Sequence, residues 1–288
     1  MRAVYVADVE DGLCMAIRTL FGETIQIDCG SRQGTDVAFH GFMQLYDHFY
    51  SPDVFILSHF HVDHYNGLLF ASRHSPPYHW RIKEVYYPRL PEFREKEKFM
   101  DYLSAINLRI FGSETGIMEY DFLEAISRIN VRTFWYRPVS KGDIIDINGA
   151  KFEVLWPPTM IKQDETLSVI ENALRNFEKA MEQDEKTKQL YERIKREGVF
   201  RRYAEGGKMP KSRGRENINR DTEKEYKEKE LPAIVKKANK SLRKAANHLS
   251  LSLFEDNRLL FLGDIESFEI RQIVDYLNTN DRKKFWFS

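Results

Sequence analysis

His59, His61, Asp63 and His64 fall within six positions of "DVFILSHFHVDHYNGL", residues 53–68, in a chain that has eight histidines in all. On an extended segment alternate side chains point the same way, so His59 and His61 share a face while Phe60 turns back toward the core. Two imidazoles at that spacing can close on one metal ion. Where the chain then turns, Asp63 and His64 can reach a second. Imidazole and carboxylate ligands without a thiolate suit Zn²⁺, or Mn²⁺ and Fe²⁺ where carboxylates dominate. A pair of such ions makes the water between them acidic and clamps the oxygens of a displacement.

Positioning these groups requires a rigid strand before them and a tight turn after. "VFILS" is a continuous apolar run, as expected of a strand buried on both faces. A helix is expected to begin just after Asp63, with Gly67 letting it pack close. Upstream, "AVYVADV", "CMAIRTLF" and "TIQIDCG" read as strands, and "DVAFHGFMQLYDHFY" has helical spacing closed by Ser51-Pro52. Downstream, "EVYYP" reads as a strand and "PEFREKEKFMDYLSAINLRIF" and "EYDFLEAISRI" as helices. A second group of strands follows in "VRTFWYRPV", "DIIDI" and "AKFEVLWPP", with Asn148-Gly149 as a hairpin turn.

The composition changes after Pro158. Residues 161–246 are mostly charged, with apolar residues at helical intervals, a polar stretch "YAEGGKMPKSRGRENINRD" expected to be a mobile loop, and helix expected on either side of Pro232. Strand character returns in "LSLSLFED" and "RLLFLGDI", then a helix "SFEIRQIVDYL" and the strand-like "KKFWFS". The implied organisation is a sheet-rich domain, 1–160 and 247–288, interrupted by a charged, mainly helical insertion, 161–246. The 288 residues carry 44 basic and 44 acidic side chains, so overall charge predicts no polyanion partner and any such argument must be local. Locally, Arg193 to Arg220 holds ten basic residues against three acidic ones, interleaved with Phe200 and Tyr203. Arg193, Lys195, Arg196, Arg201, Arg202, Lys211, Arg213 and Arg215 are the candidate nucleic-acid contacts. The insertion is equally suited to docking a protein partner or another copy. Two cysteines, Cys14 and Cys29, exclude a disulfide framework and a thiolate zinc site. With no signal-peptide core or membrane span legible, a cytoplasmic protein is expected.

The order His-x-His-x-Asp-His resembles the signature of the metallo-β-lactamase superfamily. "VADVEDGLCMAIRTLFGETIQIDCGS" is similar to its opening strands, ending on an Asp-x-Gly turn at Asp28 and Gly30. "GDIIDINGAKFEVLWPP" and "NHLSLSLFEDNRLLFLGDIESFE" resemble its ComEC-like branch, typified by the hydrolase domain of a DNA-uptake channel protein. The resemblance implies an α/β fold, an αββα sandwich with the metal site at one edge of two packed sheets. It implies two divalent ions, Zn²⁺ or Mn²⁺: His59 and His61 on the first, Asp63 and His64 on the second, Asp264 bridging. Asp63 would also manage the proton of the attacking water. Where many members supply a third histidine, the branch resembles Asn-x-x-Ser, matched by Asn247 and Ser250, with His248 between them as a further candidate ligand. A final histidine expected after the last strand has no match in "KKFWFS". The second ion is therefore expected to rely on Asp63, His64 and Asp264, or on a longer tail or a partner.

Three functions follow as expectations. The first is hydrolysis of a phosphodiester in nucleic acid by a hydroxide activated between two metals. The second is hydrolysis of a small ester, thioester or lactone at the same centre. The third is a non-catalytic assembly subunit of a bacterial, defence-type multi-protein system.

Overall fold

Two sheets carry the chain, and the first is built around a short central strand. The computed structural model describes residues 3–46, 51–73, 80–111, 121–211, 231–255 and 259–279. Arg213, Arg215, the helix expected before Pro232 and "KKFWFS" lie outside the described residues. Strand β4 (Val54–Ile56) has parallel neighbours on both edges, β3 (Thr24–Ser31) and β5 (Glu84–Pro88), and is buried on both faces, Val54 and Ile56 against the second sheet and Phe55 against the helices. The sheet continues outward through β2 (Gly12–Arg18) and β1 (Ala3–Val6) on the β3 side. On the β5 side it continues through β6 (Phe134–Val139) and β9 (Gly207–Met209). The second sheet runs β11 (Leu259–Phe261), β10 (Ser252–Glu255), β8 (Ala150–Trp156), β7 (Ile144–Ile147).

The facing surfaces interdigitate. Ile17, Ile25, Ile27, Val54 and Ile56 from the first sheet meet Ile145, Phe152, Val154, Leu251 and Leu253 from the second. Helices cover both outer faces. Helix α9 (Ser267–Thr279) lays Ile273 and Leu277 on Trp156 and Phe254. The other side of the first sheet receives α1 (Thr35–Tyr46), α2 (Asn66–Arg73), α3 (Lys96–Phe111) and α4 (Phe122–Ile129). The result is the expected αββα sandwich.

The charged stretch is woven into this helical layer. Its helices are α5 (Glu165–Gln183), α6 (Glu185–Glu197), α7 (Val199–Glu205) and α8 (Ala233–Asn247). Their apolar positions Ile170, Phe177, Ile194, Val199, Val235 and Leu242 join the same core as Phe55 and Leu57. Phe177 stacks on Tyr102 of α3 at 4.3 Å, and burial of such a ring stabilises by about 2 kcal/mol. Side-chain caps set the breaks. Asp164 accepts from Leu167 N, and Asp184 both closes α5 and caps α6 through Thr187 N. Gly198, in the left-handed region at φ 62°, turns the chain from α6 into α7. The loop expected from Tyr203 instead begins with the end of α7 and the edge strand β9, antiparallel to β6. Three extended residues beside a free sheet edge pair with it, a signal too brief to read in sequence.

Among the described residues, no helix is long and apolar enough to cross a membrane.

Asp101 on α3 supplies a test of this packing. Burial, then the charge of Glu97, pushes its carboxyl up to about 6 from 3.8, with Lys195 of α6 opposing. A group whose pKa is raised on folding gives stability that is full below its unfolded pKa and lost as pH rises through the folded one. Solvent screening of this half-buried group reduces the effect to about 1 kcal/mol. Asp101→Asn should therefore raise the urea midpoint at pH 7.5 and leave it unchanged near pH 3.5. An equal difference at both pH values would contradict the assignment.

Candidate metal centre

Strand β4 ends at the sheet's carboxyl edge, and three neighbours clamp the backbone that follows. Ser58 N donates to Asp28 Oδ1 of β3 (2.7 Å), Leu251 N donates to Ser58 O (2.7 Å), and Asn107 Nδ2 of α3 donates to Phe60 O (2.9 Å). Held extended, the segment alternates as its spacing requires. The His59 and His61 rings lie parallel at 6.4 Å, and the Phe60 ring packs on Tyr203 and Tyr87 at 5.2 and 5.7 Å. The chain then closes in a single 3₁₀ turn, Val62–His64, and α2 starts at Asn66 rather than directly after Asp63. That tight turn folds His64 back over His59, with ring centroids 3.9 Å apart. Asn66 exchanges two hydrogen bonds with the Ser31 backbone (3.0 and 2.6 Å), fixing the helix start to β3. A Cβ on Gly30 would lie 1.8 Å from Asp63 O, so only glycine lets β3 pass beneath the turn.

Asp264 arrives from the other sheet. It follows β11 through Gly263, whose φ of 62° and close approach to Leu251 O and Ser250 favour glycine. Ligand atoms of His59, His64 and Asp264 all lie within 4.8 Å of one another. His64 Nε2 and Asp264 Oδ2 are 3.4 Å apart. Two ligands on a tetrahedral ion at about 2.0–2.1 Å stand ~3.3 Å from each other, so this pair is already at bridging separation. His61 Nδ1 contacts Asp63 Oδ1, while His61 Nε2 is buried with no partner among the described residues. A buried imidazole nitrogen without a partner costs free energy that a metal ion would relieve. The residues fit a divalent cation.

The electrostatics agree. Burial works to raise the Asp264 carboxyl, but the hydrogen bond and charge of His64 outweigh it and hold the group at about 2. Asp63 is likewise kept well below the usual range, burial being overcome by His61 and then His64. Burial would lower His64, yet Asp28 and then Asp264 hold it well above an ordinary histidine. Burial and the neighbouring His64 push His59 well below. Two ionised carboxylates thus face the site. Asp264 is 43% exposed, which opens the cluster to solvent on one side.

A family model for the metallo-beta-lactamase superfamily matches residues 7–160, just over half of the chain. The chain belongs to the metallo-beta-lactamase superfamily. Among solved structures it is similar to a beta-lactamase domain protein from Burkholderia ambifaria at 16% identity, over 49% of this chain and 41% of that one, with a TM-score of 0.28. That likeness spans less than half of the other protein and carries no argument here. No curated protein matches the chain. Superfamily members are in general metal-dependent hydrolases that bind divalent ions. The matched segment contains His59 to His64, whereas Asp264 lies about a hundred residues beyond its end and reaches the cluster only through the fold.

Two supports of this metallo-beta-lactamase site escape the spacing argument. Asp28, read in sequence only as a turn, is fully buried at φ 53°. It contacts His64 Nδ1 at 2.8 Å and accepts from Ser58 Oγ at 2.5 Å. Burial pushes its carboxyl up, and these partners oppose that rise. A carboxylate on Nδ1 orients the ring and leaves Nε2 for a ligand. The signal was present: an aspartate followed two residues later by glycine at a strand end. The second support is Glu269 of α9, whose Oε1 meets His248 Nδ1 (2.7 Å) and accepts from Thr166 Oγ1 (2.6 Å). His248 is not in the His59, His64, Asp264 cluster. Its Nε2, like Asn247 Oδ1 and Ser250 Oγ, is buried without a partner among the described residues.

The described basic candidates lie on α6 and α7, with Lys211 just past β9. Arg202 Nη1 binds the buried Asp121 carboxylate at 2.6 Å, joined by Tyr203 Oη at 2.8 Å, so it fastens α7 to α4. Arg193 pairs with Glu197 (3.0 Å) and Arg201 with Glu205 (2.9 Å). Arg196 Nε donates to Glu192 O, Lys195 faces Asp101, and Lys211 is exposed. Acidic residues four positions on, and Asp121 far upstream, neutralise charges that a count of basic residues leaves free.

Asp28→Asn keeps the side-chain shape and tolerates the positive φ. It should lower Zn²⁺ affinity by about 10–100-fold in a calorimetric titration. Unchanged affinity would show that Asp28 does not orient His64.

Proposed function

We propose that the chain is a phosphodiesterase acting on nucleic acid, using two divalent metal ions, Zn²⁺ or Mn²⁺. The observation that carries this reading is the convergence of His59, His64 and Asp264, with His64 Nε2 and Asp264 Oδ2 at 3.4 Å. His59 and His61 would hold one ion. Asp63 and His64 would hold the other, and Asp264 would touch both. When bound, such ions supply Lewis acidity and make water nucleophilic at neutral pH.

The protein side of the reaction is legible. Asp28 fixes the His64 ring, and the clamped loop keeps His59 and His61 from rotating away. Asp63, largely screened from solvent, would take the proton of the attacking water. At the rim, Arg32 is 40% exposed, with Nε 3.9 Å from Asp63 Oδ2, and Asp11 holds its Nη1 at 2.7 Å. A tethered guanidinium beside the reacting centre suits an anionic substrate, which favours a phosphate diester over a neutral lactone or lactam. Asn247, Ser250 and the Gly263-Asp264 turn support placement in the ComEC-like branch.

The test is turnover of bis(4-nitrophenyl) phosphate, single- and double-stranded DNA, and RNA with Zn²⁺ or Mn²⁺. His59→Ala and Asp264→Ala should each lower the rate by at least about a hundredfold, since losing a ligand costs more than losing its orienting partner. Rapid hydrolysis of a thioester or lactone with no phosphodiester cleaved would overturn the reading in favour of a small neutral substrate.

A further inference from the structure

Beside the metal loop, at the carboxyl end of the neighbouring strand, lies an open cleft. Among its walls are Phe60, Arg89, Glu92, Lys96, Phe200 and Tyr203. Three observations bear on what it takes.

The first is position. Strands β4 and β5 are parallel neighbours, so the loops that follow them share one rim. Ligands of parallel sheets bind at that rim. Phe60, in the cleft wall, turns to the opposite side of the segment from His59 and His61, so the cleft lies behind the metal loop on that rim.

The second is charge. Arg89 is exposed and donates through Nη2 to Pro138 O at 3.2 Å, and no carboxylate pairs with it among the described residues. Arg193, Arg201 and Arg202, by contrast, are each committed to an acid. Lys96 is held by Glu92 at 2.5 Å. Two cations against one carboxylate leave the cleft one positive charge in excess.

The third is its aromatic lining. The Phe200 ring is half-buried, with Lys96 Nζ 5.9 Å from its centroid, and the Tyr203 and Phe60 rings meet edge to face at 5.2 Å. A cleft that holds both an aromatic ring and a guanidinium can take a planar ring joined to an anion.

We infer that this cleft is a nucleotide subsite, binding one base against Phe200 and its phosphate on Arg89, on the same sheet rim as the metal loop. The inference deepens the phosphodiesterase reading and rests on it for its role, but its binding chemistry can be measured separately.

The experiment is calorimetric titration of the full chain with adenosine 5′-monophosphate, in parallel with bis(4-nitrophenyl) phosphate turnover. Phe200→Leu keeps an apolar side chain under Lys96 while removing the ring face, and Arg89→Gln removes the charge but keeps an amide donor. Saturable binding should weaken by about tenfold in each variant, and adenosine or inorganic phosphate alone should bind less tightly than the nucleotide. No saturable binding to the parent chain, or equal affinity in parent and both variants, would overturn the subsite even with turnover intact. Binding that is lost in the variants, in a chain that cleaves no diester, would uphold the subsite and defeat the phosphodiesterase reading instead.

Discussion

Gathering Asp28, Asp63, Asp264 and three imidazoles into one largely buried cluster is the constraint around which the fold is arranged. Removing one charged group from water costs several kcal/mol unless partners replace the lost hydration. Here each carboxylate has such partners. Asp28 receives Ser58 N, Ser58 Oγ and His64 Nδ1. Asp264 faces His64 Nε2, and Asp63 contacts His61 with Arg32 nearby. What is left over is the buried Nε2 of His61. An orphan donor–acceptor of that kind is tolerated where function uses it.

The surrounding architecture follows from this cluster. Its groups come from β3, the loop after β4 and the turn after β11, so both sheets must be locked in register before the site exists. The Leu251 N to Ser58 O bond and the sandwiched Ile27, Ile56 and Leu253 side chains provide that lock. The charged helices α5 to α8 contribute from behind. Tyr203 backs Phe60, Arg202 satisfies Asp121 at the start of α4, and Thr166 braces Glu269 against His248. A stretch that looks polar in composition therefore supports the site through a few buried contacts.

The four-ligand spacing was readable because alternation on an extended segment is a local rule. Strands β3, β4, β5 and β8 were readable for the same reason, each being a short apolar run between turn residues. Asp264 needed the family resemblance, since a Gly-Asp after a strand is ordinary by itself. Asp28 and Glu269 stayed hidden because they act through contacts 36 and 21 residues away, on His64 and His248. The pairing of Arg202 with Asp121, 81 residues apart, was hidden likewise. Strand β9 was missed because Gly-Lys-Met has little strand propensity and pairs only because β6 offers an open edge. Local pattern gave the candidate ligands, and long-range pairing decided what holds them.

The central claim is that these side chains hold divalent ions at the rim of the two sheets. Anomalous diffraction at the zinc edge, from crystals equilibrated with Zn²⁺, tests it most directly. The account predicts one peak within about 2.0–2.2 Å of His64 Nε2 and an Asp264 oxygen, and a second beside His59 and His61. A folded protein with no peak at either position would contradict it.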